Sequence, residues 1–140
     1  MERVFLDSNI LFSAAYRSSP ATRVHTLWRL PDVALILSPY VFEEVRRNLE
    51  TEEQRTRLNQ LLGQMVMIAP SIDPVALPRD IRLPEKDVPI LQHAIEARAD
   101  YLLTGDQTHF GPYYHQTIEG VRISSLRDYL ESRDTSGNPE

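Results

Sequence analysis

The stretch Arg3-Val4-Phe5-Leu6-Asp7-Ser8-Asn9 constrains this chain more than any other. Val4, Phe5 and Leu6 form a short apolar run, as expected of a strand buried on both faces. The run stops at Asp7. Ile10, Leu11, Phe12, Ala14, Ala15 and Tyr16 then read as a helix packed on a sheet. A strand that turns straight into a helix leaves Asp7 at the strand's C-terminal end. In open α/β sheets that edge is where ligands bind. The simpler reading is that Asp7 only caps the helix, because Asp, Ser and Asn are all good N-caps. The choice depends on how many other carboxylates reach the same edge.

The later chain repeats the pattern. Arg17-Ser18-Ser19-Pro20 is a break, and Pro20 is expected to open a helix with Val24, Leu27 and Trp28 inward. Trp28 reads as core rather than as a base-stacking platform. Val33 to Leu37 is a second buried strand, and a helix follows from about Pro39 to Glu50, with Val41, Phe42, Val45 and Leu49 as its core face. Glu44 lies at the edge of that stripe. It could equally turn outward and pair with an arginine. Thr51-Glu52-Glu53-Gln54 reads as another helix start, and Met65 to Ala69 as a third strand. Pro70, Pro74, Pro78 and Pro84 mark an extended surface connection.

Asp87 occupies an N-cap position before a helix with Val88, Leu91, Ala94 and Ile95 buried, and the capping role is strong there. Ala99 to Leu103 is a fourth strand, followed by Thr104-Gly105-Asp106, which alone would read as a turn. Val121-Arg122-Ile123 is a short fifth strand. Ser124-Ser125 caps a last helix with Leu126, Tyr129 and Leu130 inward. The end, from Asp134 to Glu140, is expected to fray. Alternating strands and helices indicate a parallel sheet with helices on both faces.

At 140 residues the chain fits one domain with a sizeable core. No stretch is apolar enough to span a membrane, and Met1-Glu2-Arg3 runs directly into the first strand, so no secretory signal is expected. The absence of cysteine excludes thiol nucleophiles and cysteine-based zinc sites and suits a cytoplasmic location. A net charge of −5 argues against a general nucleic-acid binder. Its distribution tempers that: residues 1–60 carry 8 basic and 8 acidic residues, so the excess lies in the second half.

Asp7, Glu44, Asp87 and Asp106 thus become candidates for one site. Clustered carboxylates repel and raise each other's pKa unless a cation sits among them. Oxygen ligands suit Mg²⁺ or Mn²⁺ rather than zinc. Such an ion can activate water and stabilise a phosphoryl transition state.

Taken in order, Phe5-Leu6-Asp7-Ser8-Asn9, Ser38-Pro39-Tyr40-Val41-Phe42-Glu43-Glu44-Val45, Asp87 followed by Ala94, and Leu103-Thr104-Gly105-Asp106 resemble the PIN domain. The resemblance covers residues 1–133 and leaves 134–140 as a tail. It is strongest to the stand-alone PIN proteins that act as toxins in type II toxin–antitoxin modules. It implies a three-layer α/β/α sandwich around a parallel sheet of about five strands. It also implies a Mg²⁺- or Mn²⁺-dependent ribonuclease whose metal-holding catalytic residues would be Asp7, Glu44, Asp87 and Asp106. Products would carry a 5′-phosphate and a 3′-hydroxyl. Asn9 and Thr104 match residues that support the acids. Where many members have a further acid or Asn, this chain has Thr108. His109 beside it could touch substrate phosphate or simply lie on the surface. Glu43 rivals Glu44, but the offset from Ser38 favours Glu44.

The expected partners are single-stranded RNA and a cognate antitoxin, with a homodimer left open. Arg17, Arg23, Arg46 and Arg47 are candidate RNA contacts; pairing with nearby glutamates is the simpler role. A non-catalytic PIN module binding RNA or protein is the alternative. A phosphoacceptor receiver domain fits poorly, because it needs adjacent acids after the first strand, and here Ser8 and Asn9 follow Asp7.

Overall fold

The computed structural model describes residues 1–17 and 22–136, without the side chains of 134–136. The elements, in order, are β1 (Glu2–Leu6), α1 (Ser8–Tyr16), a 3₁₀ helix (Arg23–Arg29), β2 (Val33–Leu37), α2 (Pro39–Asn48), α3 (Glu52–Leu62) and β3 (Val66–Met67). Then come α4 (Val88–Glu96), β4 (Tyr101–Leu103), a short 3₁₀ turn (Gly111–Tyr113), β5 (Thr117–Ile118), β6 (Val121–Ser124) and α5 (Leu126–Ser136).

The strands form one sheet in the order β3-β2-β1-β4-β6-β5. Every neighbouring pair is parallel except β5–β6. The apolar run in β1 is central, and Val4, Phe5 and Leu6 are fully buried. Side chains alternate between faces along a strand. Phe5, Ile36 and Leu102 therefore pack into a cluster with Val41 and Val45 of α2 and Leu91 and Ala94 of α4. Val4, Leu6, Leu35 and Leu103 pack with Ile10, Ala14, Val24, Leu27 and Tyr129. Each fully buried side chain of this kind contributes about 1.5–3 kcal/mol by leaving water. Trp28 is a core residue, as expected: it packs against both clusters and donates its ring N–H to Leu61 O at 3.2 Å.

Local chemistry sets the helix starts. Pro39 opens α2 at a first-turn position, where its missing N–H costs nothing. Thr51 and Gln54 form a capping box at α3. Ser125 Oγ accepts from Asp128 N–H at the start of α5.

The structure differs from the sequence expectation in several places. The sheet has a sixth strand, β5, antiparallel to β6. The connecting residues Glu119 and Gly120 both have positive φ, 49° and 87°. That is the signature of a two-residue hairpin turn, which the short run Thr117-Ile118 concealed. The segment after Thr22 is a 3₁₀ helix rather than an α-helix, and Pro20 itself lies outside the described residues. The third strand is shorter than Met65 to Ala69. α5 runs to Ser136, and residues 137–140 lie outside the described set. Among the described residues, no helix is long and apolar enough to cross a membrane.

Candidate metal centre

The parallel register decides which side chains meet. Leu6 pairs with Leu103 across β1 and β4, so Asp7 and Thr104 leave the sheet side by side. Asp7 is 5% exposed. One carboxyl oxygen accepts from Ser8 N–H at 2.6 Å, and the other accepts from the Thr104 hydroxyl at 2.7 Å. Asn9 approaches the second oxygen at 3.4 Å and accepts from Gly105 N–H at 2.8 Å. The capping reading of Asp7 is therefore half of its role. Its first oxygen starts α1, and its second is tied to the loop after β4.

Burial pushes the Asp7 carboxyl up to about 6, against the pull of the Thr104 and Ser8 hydrogen bonds; the charges of Asp87 and Glu44 add to the rise. Glu44 is half-buried on α2 and accepts from the Ser8 hydroxyl at 2.6 Å. Ser8 thus joins two candidate acids, its N–H on Asp7 and its hydroxyl on Glu44. Glu43, the rival, is exposed and pairs with Arg46 at 2.8 Å.

Asp87 departs from the capping expectation. It stands at the N-cap position of α4, yet its backbone is already helical and its side chain makes no capping hydrogen bond. The residue is 8% exposed, and its Oδ2 is buried without a hydrogen-bond partner. His109 Nδ1 lies 3.1 Å from that oxygen, but its hydrogen bond goes to Asp106 Oδ2 at 2.8 Å. Burial raises the Asp87 carboxyl, and the Asp106 charge raises it further. Asp106 behaves in the opposite way. Burial pushes it up, but hydrogen bonds from the His109 backbone and ring outweigh this and hold it below its ordinary value. Oxygens of Asp87 and Asp106 and a nitrogen of His109 all lie within 4.8 Å of one another.

These donors fit a divalent ion on chemical grounds. They offer several carboxylate oxygens, one of them buried and unpartnered, beside a ring nitrogen. His109 belongs in this cluster rather than on the open surface. The spacing Asp106 to His109 was the available signal, because three residues bring a ring back onto its own carboxylate in a helical turn. Thr108 is exposed, and its backbone N–H supports Asp106. Nothing in the sequence marks Ser8 or Tyr40 as a contact of these acids. Tyr40 O–H donates to Lys86 O at 2.6 Å, beside Asp87.

The arginines divide. Arg46 is committed to Glu43. Arg17, Arg23 and Arg47 are exposed. Arg17 follows the last turn of α1, so about 13 Å of helix separates it from Asp7. Arg47 is near enough to Tyr40 for its charge to act on that hydroxyl.

A family model described as PIN domain matches residues 3–108. The chain belongs to the PIN domain family. No curated protein sequence matches it. Among solved structures, this PIN domain is similar to a chain of VapBC2 from Rickettsia felis, crystallised with a DNA fragment from their promoter. That match has a TM-score of 0.62 and 18% identity over 88% of this chain and 98% of the other. It is also similar to a chain of FitAcB from Neisseria gonorrhoeae, with a TM-score of 0.53 and 20% identity over 89% and 98% of the two chains. At these identities the likeness concerns the fold. PIN domains are generally nucleases, and the acidic cluster at the C-terminal edge of the sheet agrees with that class.

Proposed function

We propose that this PIN domain is a Mg²⁺- or Mn²⁺-dependent endoribonuclease acting on single-stranded RNA, and that it is the toxin of a type II toxin–antitoxin module in the cytoplasm. The observation that carries the catalytic reading is the Asp87 carboxylate. It is buried, its side chain makes no capping hydrogen bond, and one oxygen, 3.1 Å from His109 Nδ1, accepts no hydrogen bond beside Asp106. A buried polar atom without a partner costs about 1–3 kcal/mol, more when charged. A cation offsets that cost.

Asp7, Asp87 and Asp106 would hold the ion, with Glu44 at its margin through Ser8. When bound, a divalent ion supplies charge neutralisation for the phosphodiester and a lowered pKa for the attacking water. The residues of the chain do the positioning. Thr104 and the Ser8 N–H fix Asp7, and Asn9 ties it to the Gly105 backbone. His109 orients Asp106 and keeps it ionised. Water attacks phosphorus in line, and the P–O3′ bond breaks, leaving a 5′-phosphate and a 3′-hydroxyl.

Similarity to chains from VapBC2 and FitAcB supports a protein partner encoded with this chain. The test is incubation of the purified chain with end-labelled single-stranded RNA, Mn²⁺ or Mg²⁺, and EDTA controls. Metal-dependent cleavage lost in Asp87→Asn supports the proposal. RNA bound but left intact under all conditions would favour the non-catalytic module instead.

A further inference from the structure

The candidate site leaves one question about Asp87. Its side chain accepts no capping hydrogen bond, so something else must hold it toward Asp106. The peptide unit joining Lys86 and Asp87 is gripped at both ends. Its N–H, which belongs to Asp87, donates to Pro84 O at 2.9 Å. Its carbonyl, which belongs to Lys86, accepts from the Tyr40 hydroxyl at 2.6 Å. A peptide unit is planar, so two hydrogen bonds on opposite edges fix its orientation. With that peptide fixed, the path from it to the Asp87 carboxylate has little left to vary but the torsions about Cα and Cβ.

Tyr40 is well placed for this. It sits in the first turn of α2, four residues before Glu44. Residues at that spacing share a helix face. Its ring stands edge-on to His93 of α4, with centroids 6.1 Å apart. His93 in turn hydrogen-bonds the fully buried Ser38, the residue before α2. Three contacts from the start of α2 therefore reach α4 and the residues before it, two at the ring of His93 and one at the peptide before Asp87.

We propose that Tyr40 is a positioning residue for the acid cluster: its hydroxyl locks the Lys86–Asp87 peptide and so couples the placement of Asp87 to the helix that carries Glu44. The metal arm of the test rests on the nuclease reading given above; the backbone arm does not.

The test uses the full chain as wild type, Tyr40→Phe and Tyr40→Ala. Tyr40→Phe keeps the ring against His93 and removes only the hydroxyl. Amide hydrogen exchange is followed residue by residue in metal-free protein, together with Mn²⁺ affinity by calorimetry. In Tyr40→Phe the Asp87 amide should exchange about tenfold faster, the scale of one lost hydrogen bond. Amides of β1 and β4 should keep their wild-type rates. Mn²⁺ affinity should fall by about threefold to tenfold, and Tyr40→Ala should add little to either change. An Asp87 amide that exchanges in Tyr40→Phe as it does in wild type overturns the proposal, whatever the metal does. Faster exchange with unchanged Mn²⁺ affinity overturns the coupling to the acid cluster. A wild-type chain that binds no Mn²⁺ sinks the metal reading, while the exchange arm still decides whether Tyr40 fixes the peptide.

Discussion

Replacing Asp7 by Asn should make the metal-free protein more stable at neutral pH, even though it removes a carboxylate from the proposed site. The folded protein holds the Asp7 proton up to about pH 6, against an ordinary 3.8. That difference corresponds to about 3 kcal/mol between the two protonation states. The sign follows from the direction. Because the folded value is the higher one, the stability is fully present below pH 3.8 and is lost as pH rises through about 6. At pH 7.5 the wild type carries the full cost of an ionised, buried Asp7. Asn is neutral throughout. It keeps one oxygen for Ser8 N–H, and its amide faces the Thr104 hydroxyl, which must turn round to accept. Rearranging that hydrogen bond costs about 1 kcal/mol. The net gain is about 1–2 kcal/mol, or about 3–6 °C in melting temperature for a domain of this size. The assay is thermal melting in EDTA at pH 7.5 and pH 4. The Asn variant should melt higher at pH 7.5, and the difference should vanish or reverse at pH 4. An Asn variant that melts below wild type at pH 7.5, or a difference of equal size at both pH values, would refute the reasoning.

Mg²⁺ or Mn²⁺ should raise the melting temperature of the wild type by binding the native state alone, and an Asp7→Asn, Asp106→Asn double variant should show little shift in the same titration. Arg47→Ala should flatten the salt dependence of RNA binding by about 0.7 in log K against log salt for one lost phosphate contact; Arg46→Ala should flatten it less, because Arg46 is already paired with Glu43. Gly120→Ala should cost about 1 kcal/mol in denaturant melts, since Gly120 has φ of 87° with open space around it, and the strain is conformational rather than steric crowding.

The parallel sheet was legible because its inner strands are written in unbroken apolar runs. Val4 to Leu6 and Val33 to Leu37 need no tertiary information to be recognised as strands buried on both faces. β5 was not legible in the same way. Two residues carry no period, and the hairpin shows in the antiparallel pairing with β6 and in the positive φ angles at Glu119 and Gly120. Chain order placed Asp7 and Asp106 at one edge, and the register of β1 on β4 explains why Thr104 meets Asp7. The role of Asp87 could not be read locally, and that of His109 only in part. Asp87 has the right identity and position for a cap, but its backbone is already helical there and its side chain makes no capping bond, which the sequence does not show. For His109, the local spacing to Asp106 was a signal, but its second neighbour, Asp87, comes from a different segment. Arg46 shows the same limit in reverse: its neighbour Glu43 claims it before any phosphate does.

If the carboxylates at the sheet edge share a divalent ion, crystals of the wild-type chain soaked in Mn²⁺ and measured at the manganese edge should show an anomalous peak in contact with Asp87 Oδ2 and an oxygen of Asp106, absent from crystals of Asp87→Asn. No peak at saturating Mn²⁺, or a peak that touches neither Asp87 nor Asp106, would contradict that reading.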